Sequence, residues 1–102
     1  MPELDPVIHA ESRLRAIATL NEVGERDRIA FTKLQKILEM TAGNLSTHLR
    51  KLEDAGYVTV SKTIEGRTPA TYVAITPEGK AAYAAYRKAL HEMLTIELTE
   101  KP

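Results

Sequence analysis

There is no cysteine among the 102 residues, which excludes disulfides, thiolate metal sites and cysteine nucleophiles together. Net charge is missing too. Fourteen Lys and Arg meet fourteen Asp and Glu, so any binding of nucleic acid has to come from the placement of cations, not their number. No apolar stretch approaches the ~20 residues of a membrane span. The opening MPELDP is acidic and has no apolar run of the secretory kind, so the expected address is the cytoplasm. No Gly-rich phosphate loop, H-E-x-x-H or G-x-S-x-G occurs, and the three histidines are scattered. The expectation is therefore no enzyme, no cofactor and no metal site.

What is present is the patterning of one domain, residues 1–102. Residues 1–25 hold two Arg against five acids, whereas residues 26–40 hold four Lys or Arg against two and residues 41–71 four against three. The positive excess is small and central. LDPVIHAESRLRAIATLNEVG (4–24) predicts a first helix, with Asp5 as its N-cap and Pro6 at its first position. RIAF (28–31) predicts a brief strand. TKLQKILEM (32–40) predicts a short second helix with Thr32 and Gln35 as a capping box. Thr41 then caps a third helix over about 41–55, with Leu45, Leu49 and Leu52 on one face and Gly56 after its end. Two helices so closely joined predict a helix-turn-helix.

YVTVSKT and TYVAIT predict two strands, and IEGRTPA (64–70) between them predicts a loop longer than a two-residue hairpin turn. Thr76 and Pro77 open a long last helix, 77–98, behind a core of 4–76. That helix carries one apolar seam at Tyr83, Tyr86, Leu90 and Met93 and a second stripe at Ala82, Ala85, Ala89 and Ile96. A helix apolar on two sides needs two partners, the domain core and the same helix of a second subunit. The alternative is that the first helix covers both stripes. The predicted fold class is α+β and mostly helical: a winged helix-turn-helix with a long C-terminal helix.

TAGNLSTHLRKLEDAGYVTVSKTIEGRTPATYVAITPEGKAA resembles the DNA-binding core of winged-helix transcriptional regulators of the MarR and ArsR type. The opening DPVIHAESRLRAI is similar to that of their small single-domain relatives, and the likeness covers residues 4 to about 85. It implies a homodimeric repressor on pseudo-palindromic double-stranded DNA. The recognition helix would lie in the major groove and the wing, about 62–71, at the minor groove or backbone. Carried over by position, the implied contacts are Thr41, Gly43, Asn44, Ser46, Thr47, Arg50 and Lys51 on the helix, with Lys62, Arg67 and Thr68 on the wing.

The residues point the same way independently. At 100° per residue, Gly43, Thr47, Arg50 and Lys51 lie broadly opposite the leucine stripe, a small polar face suited to a groove ~12 Å wide. A polar face alone is usually only solvated, and it is the wing and the turn that favour DNA. His48 reads as a half-buried structural histidine. His9 reads as a local hydrogen-bond partner of Asp5 or Arg13, and Ser46 fits packing under the turn as well as it fits a phosphate. Because a fold does not guarantee an activity, a winged helix used for protein–protein assembly is the rival reading, and the zero net charge is its support.

Overall fold

A computed structural model describes residues 3–99, with side chains described as far as Thr95. The chain runs α1 (Glu11–Val23), β1 (Ile29–Ala30), α2 (Phe31–Leu38), α3 (Ala42–Asp54), β2 (Val58–Glu65), β3 (Thr68–Ile75) and α4 (Pro77–Thr99). The strands form one antiparallel sheet in the order β1-β3-β2. Fully buried Ile8, Ile17, Leu20, Leu34, Leu45 and Leu52 join every helix before the hairpin to the sheet residues Val58 and Val73 in a single core.

The first helix begins later than Asp5. Asp5 Oδ1 accepts the Val7 N–H at 2.8 Å and its carbonyl accepts the His9 N–H at 2.7 Å, which closes one isolated turn. Ala10 is then extended, at φ −150° and ψ 131°, and α1 starts at Glu11. Tertiary contacts override the capping signal. Tyr57 donates to Asp5 Oδ2 at 2.5 Å, Arg13 Nε donates to the Val7 carbonyl at 2.5 Å, and Ile8 is driven completely into the core. The Thr32–Gln35 capping box also fails to form, because the N-cap lies two residues earlier, at Ala30, which makes no side-chain bond, and Thr32 is already inside α2.

Both helices of the helix-turn-helix end on the same device. At the end of α2, Glu39 takes the left-handed conformation (φ 54°), its N–H bonds the Lys36 carbonyl, and the Met40 N–H bonds that of Gln35. At the end of α3, Gly56 (φ 82°) bonds Glu53 and Tyr57 bonds Leu52. These are Schellman closures, and the glycine makes the second one free of the Cβ penalty. Thr41 caps α3 as expected, its Oγ1 accepting the Asn44 N–H at 3.1 Å.

The wing is a ribbon, not a long loop. Pairing continues from Val58↔Ile75 out to Glu65↔Thr68, which leaves only Gly66 and Arg67 as the turn. Gly66 has φ +65° and Arg67 does not take a positive φ, the pattern of a type II′ turn with glycine first. Pro69 sits inside β3 opposite Ile64. It is tolerated because β1 pairs only with Tyr72 and Val73, so the other edge of β3 is open at Pro69.

Thr76 ties α4 to the corner between α3 and β2. Its Oγ1 accepts the Gly79 N–H at 2.9 Å and donates to the Gly56 carbonyl at 2.6 Å, while its own N–H bonds the Tyr57 carbonyl. Tyr86, expected on a seam between subunits, is buried in its own domain, with its hydroxyl 2.9 Å from His9 Nδ1. Ala82, Tyr83 and Leu90 pack partly on the same core. His9 therefore bonds across 77 residues, not locally. Of the second stripe, Ala85 is exposed and Ile96 lies outside the described side chains. The last helix, α4, has 23 residues and is about 35 Å long at 1.5 Å per residue. Toward its end Met93 is half-buried and Leu94 is 69% exposed.

Candidate nucleic-acid interface

With Leu45, Leu49 and Leu52 turned inward, the outward ridge of α3 carries Gly43, Thr47, Arg50 and Asp54, all exposed. A Cβ built on Gly43 meets nothing within 4 Å, so glycine is not required there by packing and the first turn is simply bare. Thr47 Oγ1 donates to the Gly43 carbonyl at 3.0 Å. Its hydroxyl proton is thus held by the helix backbone, and the oxygen of this exposed side chain keeps its acceptor capacity. The ridge ends on an acid, so its usable part is the N-terminal half.

The two flanks of α3 differ. On one side Ser46, Arg50 and Glu53 form the wall of a cleft of about 310 Å³ whose far wall is the hairpin, with Lys62 and Thr71, over an apolar floor of Phe31, Leu49 and Val60. Glu53 Oε2 accepts the Val60 N–H at 3.2 Å and bridges the two walls. On the other side Lys51, Asp54 and Ala55 border a hollow shared with Pro6, Val7 and Arg13. The structure thus brings Ser46 and Arg50 together with Lys62, and sends Lys51 to the opposite flank. Ser46 is exposed, not packed under the turn.

Strand alternation gives the hairpin two faces. Val60, Lys62 and Ile64 share the face toward α3, whereas Ser61, Thr63 and Glu65 share the back with their partners Tyr72, Ala70 and Thr68. Thr68 is therefore exposed on the back of the ribbon and is not part of the cleft. Tyr72 donates to Glu65, and the Arg28 guanidinium lies 3.9 Å from the Tyr72 ring centre. The Glu65 bond, with burial and the Glu65 charge, raises the Tyr72 pKa against the opposing Arg28. This chain holds the Glu65 carboxylate on the side away from α3. Thr71, Glu53 and Ile64, which is 76% exposed, were not marked by the sequence. Thr71 becomes visible only once the register sets it opposite Lys62.

His48 is half-buried, as expected, on the flank facing α1, with an Arg13 guanidinium nitrogen 3.5 Å from its Nδ1. Burial first, then the charges of Arg13 and Lys51, lower its pKa below the ordinary 6.5. The unfolded chain therefore binds a proton at His48 before the folded one does. Stability is full above pH 6.5 and declines as pH falls toward the depressed value. Replacing His48 with Gln should flatten the fall of melting temperature as the pH drops from 6.5 toward that value. An unchanged acid limb would remove His48 from the linkage.

Among the described residues, no group of three or more His, Asp or Glu is placed to hold a metal ion, and no helix is long and apolar enough to cross a membrane. A helix-turn-helix whose second helix is flanked by a paired β-ribbon is a winged helix. The model for the winged-helix DNA-binding domain matches residues 12–94, and the chain belongs to that family. The resemblance to small winged-helix regulators holds, and the protein is not an enzyme. It is similar to a solved transcriptional regulator homologue of Pyrococcus horikoshii OT3, 29% identical, TM-score 0.77, covering 93% of this chain and 89% of that one. It shares the fold of MepR of S. aureus in a DNA complex, 17% identical, TM-score 0.68, covering 92% of this chain and 74% of that one. An uncharacterized protein of Methanocaldococcus jannaschii is 39% identical over 67 residues, 65% of this chain and 68% of its own length.

Proposed function

We propose that this winged helix is a sequence-specific repressor of the MarR/ArsR type that binds double-stranded DNA as a homodimer in the cytoplasm. The observation that carries the proposal is the outward ridge of α3, bare at Gly43 and small at Thr47, beside a ribbon paired to its tip. That ridge fits a major groove ~12 Å wide without clash. Thr47, with its hydroxyl proton committed to Gly43, offers an acceptor for the amino groups of adenine or cytosine and a methyl group for thymine. The first-turn amides of α3, and Thr41 and Asn44 around them, suit a phosphate at the helix N-terminus. Lys51 suits the backbone on the α1 side. Arg67 at the ribbon tip suits a narrow minor groove, where negative potential concentrates, with Thr68 beside it and Ile64 available to the sugar walls. The Pyrococcus relative, a transcriptional regulator homologue, and the DNA bound to MepR both agree with this assignment.

Two copies would join through the far half of α4. Leu94 and Met93 there lie beyond the reach of the core that occupies Tyr86, with Leu90 and Tyr83 at the margin.

The zero net charge favours one second reading, a winged helix that assembles with protein. Selection from random duplexes separates the two. A regulator enriches a two-fold symmetric motif with half-sites a whole number of turns apart, about 34–36 Å per turn. Absence of any enriched motif, together with absence of binding at low salt, would support protein assembly.

A further inference from the structure

The ribbon carries a carboxylate next to its tip. Glu65 precedes the turn glycine and Arg67 follows it, both exposed. With only Gly66 between them, their long side chains start within pairing distance. A free glutamate in that place would claim the guanidinium, and any other anion would then compete with it for the cation of the turn. Glu65 is not free. Tyr72 donates to it from the other strand, and the Arg28 guanidinium lies 3.9 Å from the centre of the Tyr72 ring. On the back face the Thr63–Ala70 pair stands between Tyr72 and Glu65, so the ring has to cross that pair to bring its hydroxyl to the carboxylate. Thr63 bears the mark of the crossing. Its Oγ1 is buried without a hydrogen-bond partner, although Lys62 and Ile64 on either side are exposed. A hydroxyl at a ribbon surface loses water only to a group laid over it, and Ala70 opposite is too small to be that group. Arg28 sits just before β1, whose Ala30 pairs with Tyr72, and holds the ring from the base of the ribbon.

Resting on the DNA-binding reading above, we infer that Arg28, Tyr72 and Glu65 form a brace that keeps the Glu65 carboxylate off Arg67, so that the tip meets DNA with its cation unpaired. Tyr72 is a positioning residue. It stands on the side of the ribbon away from α3 and acts on the interface only through Glu65. Its pKa is raised above 10, first by the Glu65 bond, so the phenol stays protonated and remains a donor at neutral pH.

The test uses the full chain and two readouts: the Arg67 side-chain Nε–H resonance without DNA, and affinity for a duplex selected from a random pool. Tyr72→Phe keeps the ring and its contact with Arg28 and removes only the hydroxyl. It should move the Arg67 resonance as Glu65 swings onto it. It should also weaken duplex binding by about three- to fivefold per wing, the scale of an exposed ion pair. The slope of log K against log salt should become shallower by about 0.9 for each phosphate contact that Arg67 gives up. Glu65→Gln alone should bind at least as tightly as the parent. Adding Tyr72→Phe to Glu65→Gln should then change neither readout, because the carboxylate under restraint is gone. A hydroxyl that merely stiffened the ribbon would behave otherwise, since Gln still accepts its hydrogen bond. The inference is overturned if Tyr72→Phe weakens binding equally in the parent and in the Glu65→Gln background, or if it leaves the Arg67 resonance unmoved. If the resonance moves as expected but the unmodified protein binds no duplex, the brace stands and the DNA-binding reading falls.

Discussion

Gly79→Ala is expected to destabilise the protein by about 3 kcal/mol, a fall in melting temperature of roughly 15 °C for a domain of this size. A Cβ at Gly79 would lie 2.0 Å from the Tyr57 carbonyl oxygen and 2.8 Å from its carbon. Those are backbone atoms, so no rotamer change relieves the clash. The same oxygen accepts the Thr76 N–H at 3.0 Å, and the Thr76 hydroxyl bonds the adjoining Gly56 carbonyl. Moving the Tyr57 peptide aside therefore loosens both ties between α4 and the end of α3. Gly43→Ala is the contrasting case. It is also helical, but open space surrounds its Cβ, and it should gain up to about 1 kcal/mol from helix propensity. Urea unfolding at constant m-value distinguishes the two. A Gly79→Ala midpoint equal to that of the parent would contradict the close packing of α4 on Tyr57.

Met93→Asp combined with Leu94→Asp is expected to convert a dimer into a folded monomer and to reduce binding to a two-half-site duplex by about 10²–10⁴-fold, the loss of a tethered second site. These positions avoid the domain core. Leu94 is 69% exposed, whereas charges at Tyr86 or Leu90 would strike residues that pack inside the protomer. Light scattering and a gel shift read the two effects separately. A double variant that remains dimeric would move the subunit contact elsewhere. One that becomes monomeric yet binds the full duplex undiminished would detach dimerisation from DNA binding.

The legible parts of this fold were those specified by residues close in the chain. Thr41 and Thr76 announce their caps within three residues, and the Leu45, Leu49 and Leu52 stripe and the stop at Gly56 need nothing beyond α3 itself. The misread parts depend on distant partners. Asp5 looks like a helix cap until Tyr57, 52 residues away, claims its other oxygen. IEGRTPA has the composition of a loop, but one glycine at positive φ suffices to turn the ribbon, and cross-strand pairing carries the strands to it. Periodicity showed that α4 has two apolar stripes. It could not show that Tyr86 would turn toward His9. The candidate interface divides in the same way. The α3 ridge follows from helical spacing, but the meeting of Ser46 and Arg50 with Lys62 and Thr71 exists only after the hairpin has folded beside the helix.

On the proposed function, the α3 ridge and the ribbon together form the surface that meets DNA. Amide chemical-shift mapping of the labelled protein, titrated with its selected duplex, tests this most directly. Perturbations are expected to concentrate on residues 41–51 and 62–71, with the exposed end of α4 around Leu94 unaffected. Perturbations confined to α4, or none on α3 at saturating duplex, would contradict it.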